Sequence, residues 1–131
     1  MIFVDTSYWI AAATENDAHH EEARRLSRTA DALLVTTNHV RGETWTFLNR
    51  RHGHGPAVAF LDRMSLALRL RVEFVSRNLE EEALRWLCER DEREYSFVDA
   101  TSFAVMHSLR IREALSFGGD FAAAGFTELR D

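Results

Sequence analysis

The sequence contains no lysine; all 16 of its basic residues are arginine. It has a single proline, a single cysteine and only six glycines in 131 residues. One cysteine, Cys88, excludes an intramolecular disulfide, so stability must come from a packed core, which a chain of this length can supply. The setting expected for Cys88 is that of a small buried hydrophobe on a helix. There is no linker, repeat or low-complexity segment, and one domain over residues 1–131 is the expectation. No apolar stretch approaches the roughly 20 residues of a bilayer-spanning helix. The opening MIFVDTSYWI has no basic leader, and Asp5 interrupts its apolar run. A secretory signal is therefore not expected, and a cytoplasmic setting is.

Positive charge is also scarce in sum. The formal net charge is −5. That excludes a broad electrostatic grip on nucleic acid. It leaves room for a nuclease that concentrates its acids in one metal-filled site. The all-arginine basic set fits a bias toward GC-rich codons, and guanidinium also suits phosphate recognition and partner salt bridges.

What is present is an alternation of two periodicities. Ile2 to Val4 read as a buried strand ending at Asp5. Thr6 and Ser7 can cap a helix over Tyr8 to Ala13. Residues 17–29 read as a polar helix opened by Asp17, and Leu33 to Thr36 as a second strand. Asn38 is placed to cap a helix running to about Arg51. The break HGHGP at 52–56 precedes a helix from Ala57 to about Ala67. Leu70 to Val75 alternate as a third strand. Asn78 is placed to cap a helix with Glu80, Glu81 and Glu82 in its first turn, running to about Arg90. Ser96 caps an apolar helix from Phe97 to about Leu109. Ala114 to Phe117 read as a fourth strand, Phe121 to Ala124 as a short helix, and Phe126 to Leu129 as a last edge strand. Strands alternating with helices predict βαβ units and a mainly parallel sheet covered on both faces.

In such sheets ligands bind beyond the carboxyl ends of the strands. Asp5 falls there. It is either a helix cap or, with Thr6 and Ser7 doing the capping, a free acid; the local sequence leaves both open. Glu43 lies one turn into a helix that Trp45 and Phe47 suggest is largely buried. Asp99 opens the most apolar helix, where the helix dipole alone justifies an acid, but a central helix would aim it into the crevice near Asp5. If the three converge, two carboxylates about 4 Å apart repel by roughly 4 kcal/mol at an effective dielectric near 20. A cluster of this kind persists by protonating a member or holding a cation. Oxygen-only ligands select Mg²⁺ or Mn²⁺, and such an ion suits phosphodiester hydrolysis.

The segments IFVDTSYWI, VRGETWTFL, YSFVDATSFAVM and ALSFGGDFAAAGF, in this order and spacing, resemble the PIN-domain ribonucleases, and among them the VapC toxins of bacterial toxin–antitoxin pairs. The resemblance implies a three-layer α/β/α sandwich and a Mg²⁺- or Mn²⁺-dependent endoribonuclease acting on structured RNA. It also implies a homodimer and a VapB-type antitoxin. Asp5, Glu43 and Asp99 match the family's first three acids. Ser116 matches a supporting hydroxyl, Ser102 stands where the family often has a polar residue, and Thr6 and Ser7 flank the first acid. One departure stands out. Where the family carries its fourth acid this chain has Gly118, and Asp120 follows two residues later. Either Asp120 swings in through the glycine pair or the fourth acid is missing, which would leave an impaired module that binds RNA or antitoxin without cutting.

Other chemistries find no support. His19-His20 and His52 with His54 lack partners at zinc-ligand spacing and read as solvated. No phosphate-binding glycine loop or nucleophile elbow is present. The chain is short for a structure-specific DNA nuclease of the flap-endonuclease group. Trp9, Trp45 and Trp86 read as core or interface aromatics. An apolar groove around Trp9 and Trp45 is the expected seat for an antitoxin helix and its arginine.

Overall fold

The apolar tripeptide Ile2–Val4 forms β1, the middle strand of a five-stranded sheet. The computed structural model describes residues 1–29 and 31–131. After β1 come α1 (Thr6–Ala13), α2 (His20–Thr29), β2 (Leu34–Thr37), α3 (Asn38–His52) and α4 (His54–Leu66). They are followed by β3 (Leu70–Glu73), α5 (Arg77–Glu89), α6 (Phe97–Leu109), β4 (Glu113–Leu115), α7 (Asp120–Ala123) and β5 (Thr127–Glu128). The strand order is β3-β2-β1-β4-β5, and every pairing is parallel.

Successive side chains of a strand point to opposite faces, and β1 uses both. Phe3 joins Val35, Phe103, Met106 and Phe121 on one side. Ile2 and Val4 join Tyr8, Leu26, Leu115 and Phe117 on the other. Both faces are therefore covered by helices, as a parallel sheet requires. The result is the expected α/β/α sandwich. The unbroken buried run Ala100–Met106 makes α6 the central helix, and Phe103 alone touches the rings of Trp86, Tyr95, Phe121 and Phe126.

Several helix starts differ from their predicted positions, each for a local reason. Thr37, not Asn38, caps α3 by accepting from the Val40 amide at 3.0 Å. The Asn38 side chain instead accepts from the Val75 amide at 2.9 Å. That bond takes the chain out of the ladder, so β3 stops at Glu73 rather than Val75. Asp17 caps a turn through the His19 amide, and α2 begins only at His20. Helix α4 starts at His54, which puts Pro56 in its first turn, where a missing N–H costs nothing. Ser76, not Asn78, caps α5. Cys88 is exposed, contrary to expectation. It lies five residues beyond the buried Ala83, about 140° around the helix from the packed stripe.

Candidate active site

Asp5 leaves β1 at its carboxyl end, where its amide donates to the Leu115 carbonyl of β4 at 3.1 Å. The side chain caps α1, accepting from the Ser7 amide at 3.3 Å. The capping role left open between Asp5 and its neighbours thus belongs to Asp5. The same oxygen, Oδ2, accepts from Ser7 Oγ at 2.8 Å and Ser116 Oγ at 3.1 Å. Ser7 Oγ in turn accepts from the Phe117 amide at 2.9 Å, so the ends of β1 and β4 are tied through this carboxylate. Thr6 contributes differently: its Oγ1 is buried without a hydrogen-bond partner, while its amide favours the charged Asp5. Burial outweighs these bonds and raises the Asp5 pKa above the usual carboxylate range.

Asp99 opens the central helix through a capping box. Its amide donates to Ser96 Oγ at 2.9 Å, and its Oδ2 accepts from the Ser96 amide at 3.1 Å. Its pKa is pushed up to about 6, first by desolvation and then by the negative charges of Asp5 and Asp120; the Ser96 bonds act in the opposite direction. Three carboxylates, Asp5, Asp99 and Asp120, therefore share one charged neighbourhood beyond the carboxyl ends of β1 and β4. This is the crevice predicted for an open parallel sheet.

Asp120 follows the glycine pair directly, and its charge contributes to raising the Asp99 pKa. Gly118 and Gly119 have φ of 108° and 89°, a region L side chains rarely adopt. Gly118 is thus a residue the backbone needs as well as a missing acid. Arg93, in the connection between α5 and α6, donates from Nε to Asp120 Oδ1 at 3.0 Å, and its Nη2 lies 2.9 Å from the same oxygen in an ion pair. Sequence reasoning did not single out Arg93. It lies in the charge-rich run DEREYS, where nothing in the pattern separates it from its neighbours.

Glu43 comes from α3. Val40, Thr44 and Leu48 form the buried stripe of α3, four residues apart, and Glu43 sits on the exposed flank. The expectation of a largely buried helix is therefore corrected: only one stripe is covered. Glu43 lines an open groove of about 720 Å³ together with Phe47, Arg50, Phe97 and Val98, and so borders the start of α6. Ser102 is fully buried, but its hydroxyl donates to the Val98 carbonyl of its own helix at 2.8 Å. It braces α6 rather than a carboxylate.

Trp9 and Trp45, expected to border an apolar groove, pack against neighbouring rings. Trp9 packs edge-on to Phe60 at 5.8 Å and Trp45 edge-on to His54 at 5.8 Å. The open groove lies on the other flank of α3. Of the histidines, His19 stacks on Phe117 at 4.3 Å, and His20 Nδ1 lies 2.7 Å from the Ala11 carbonyl. No helix among the described residues is long and apolar enough to cross a membrane.

The donor set is all oxygen and burdened by repulsion at Asp99, which is the chemistry a hard divalent ion relieves. Among the described residues, no three acid, histidine or cysteine side chains stand close enough to enclose an ion as they lie. The fit is one of charge and donor type.

The family profile described as PIN domain matches residues 2–127. The chain is 55% identical over 130 residues to VapC20, named a 23S rRNA-specific endonuclease, from two strains of Mycobacterium tuberculosis; the match covers 99% of this chain and 98% of the relative. Among solved structures, it matches the crystal structure of Mycobacterium tuberculosis VapC20, a sarcin–ricin loop cleaving toxin, with a TM-score of 0.95 and 54% identity over 100% of both chains. A toxin–antitoxin complex from Klebsiella pneumoniae matches at 15% identity with a TM-score of 0.67, covering 94% of this chain and 91% of that one, and shares the fold. The chain belongs to the PIN-domain family, and within it to the VapC toxins.

Proposed function

We propose that this protein is an endoribonuclease toxin that hydrolyses a phosphodiester bond in structured RNA, with a large-subunit ribosomal RNA hairpin as its substrate. The observation that carries the reading is the adjacency of buried Asp5 to Asp99 at the carboxyl edge of the sheet. The 55% identity to an endonuclease specific for 23S rRNA supports the substrate class.

Asp5 and Asp99 are the central pair, Glu43 completes the set from the groove wall, and Asp120 supplies a fourth carboxylate. Together they would hold Mg²⁺ or Mn²⁺, which when bound supplies Lewis-acid stabilisation of a phosphate oxygen and acidifies a water. Ser7 and Ser116 fix the orientation of Asp5, limiting the motion of its carboxylate. Arg50 and Arg51, beside Glu43 on the groove wall, suit the RNA phosphates. One domain holds the whole site. The toxin assembles as a homodimer in the cytoplasm, and a VapB-type antitoxin neutralises it.

The test is to map cuts in purified ribosomal RNA incubated with the protein and Mn²⁺, with a chelator arm and a DNA arm. A single cut in large-subunit RNA that the chelator abolishes is expected. No cleavage, or DNA cut in preference to RNA, would overturn the reading.

A further inference from the structure

The structure assigns Arg93 as a positioning residue that holds Asp120 beside Asp99 and so replaces the carboxylate that position 118 lacks. This rests on the carboxylate-cluster reading above.

Three observations converge on it. First, the backbone between β4 and α7 reverses through two consecutive left-handed glycines, and Arg93 Nη2 donates to the Gly118 carbonyl at 3.4 Å inside that reversal. The guanidinium therefore holds both the turn and the acid that follows it.

Second, the carboxylate of Asp120 has no capping duty. The α7 N-terminus has Gly119 as its cap residue. The free amides of Gly119 and Ala122 donate instead to the Glu128 carboxylate, at 3.3 and 3.0 Å, and Arg130 fixes Glu128 at 2.8 Å. With the helix end satisfied from β5, Asp120 is available for another role. Both Arg93 nitrogens converge on Oδ1 rather than forking across the carboxylate, and Oδ2 receives no hydrogen bond from the described residues. A carboxylate anchored through one oxygen with the other unengaged is the arrangement of an oriented metal ligand.

Third, the pair is placed by the same chain segment that places Asp99. Arg93 stands six residues before Asp99, across the Ser96 capping box, and the Asp120 charge is felt at Asp99. Arg93 and Asp120 are both well exposed, at 40% and 36% of their side-chain surface. Ion pairs this exposed add little to stability. The value of the contact lies in where it keeps the acid.

The experiment is calorimetric titration of the metal-free protein with MnCl₂. It compares wild type with Arg93→Ala, Arg93→Lys, Asp120→Asn and the Arg93→Ala/Asp120→Asn double variant, with Asp5→Asn as a reference. Thermal melting of each metal-free protein is measured alongside. Arg93→Ala is expected to weaken Mn²⁺ binding about 10- to 100-fold, the range seen when outer-shell partners of a ligand are removed. Arg93→Lys should keep part of the affinity, and the double variant should bind no more weakly than Asp120→Asn alone. Melting temperatures should stay close to wild type. Unchanged or tighter binding by Arg93→Ala overturns the proposal, because the guanidinium would then be a bystander or a competing cation. An Arg93→Ala loss that persists in the Asp120→Asn background also overturns it. Failure of wild type to bind Mn²⁺, or Asp5→Asn binding like wild type, overturns the carboxylate-cluster reading itself and the Arg93 proposal with it.

Discussion

Ser7 and Ser116, 109 residues apart in the chain, donate to the same oxygen of Asp5 at 2.8 and 3.1 Å. This convergence stitches the carboxyl ends of two adjacent strands around one buried acid. Ser116→Ala removes a donor from a buried carboxylate and should cost about 1–3 kcal/mol in stability. Chemical denaturation of the metal-free protein checks this. Cleavage activity should fall as well, because Asp5 loses half of its hydroxyl support.

The titration of Asp99 follows from the same crowding. Its folded-state pKa is raised to about 6 from the usual 3.8. The folded protein therefore binds its proton more tightly than the unfolded chain does. The stability linked to this proton is fully present below about pH 4 and is lost as pH rises through about 6. Carboxyl-carbon NMR of the metal-free protein should show the transition. Asp5→Asn should move it downward, since the Asp5 charge is one of the causes raising it.

Glu43 offers a clean separation of function from folding. It is exposed and makes no hydrogen bond or ion pair among the described residues. Glu43→Gln should change stability by no more than about 0.5 kcal/mol. If Glu43 completes the metal-holding set, RNA cleavage should nevertheless drop by more than about 100-fold, beyond the effect of an outer-shell change. Full activity in a normally stable Glu43→Gln would remove this residue from the site.

Gly118→Asp restores the family's usual acid in sequence but not in structure. A side chain at φ 108° is strained even though its Cβ would meet nothing within 4 Å. The variant should lose about 1–3 kcal/mol of stability and, if Asp120 supplies the fourth carboxylate, gain no cleavage activity. A more active Gly118→Asp enzyme would show that the fourth acid had been missing.

Much of this was legible in the chain. The alternation of strands and helices gave the parallel sheet, and Ser96 three residues before Asp99 gave the central helix its start. Position relative to strand ends gave Asp5. Less visible were choices that depend on tertiary partners. Thr37 and Asn38 are both good caps, and only the Val75 amide, 37 residues away, decides that Asn38 is engaged elsewhere. The exposure of Glu43 and Cys88 depends on which helical stripe meets the core, which one residue's neighbours do not reveal. Arg93 is invisible for the same reason: its meaning is a contact across 27 residues of chain.

The most direct measurement is single-turnover cleavage of a 23S rRNA hairpin fragment in Mn²⁺ by wild type, Asp5→Asn and Asp99→Asn, each confirmed folded. If Asp5 and Asp99 together form the centre of the cleavage site, each single variant should lose nearly all activity, and the double variant should be little worse than either. Cleavage by folded Asp5→Asn or Asp99→Asn at a rate near wild type would contradict it.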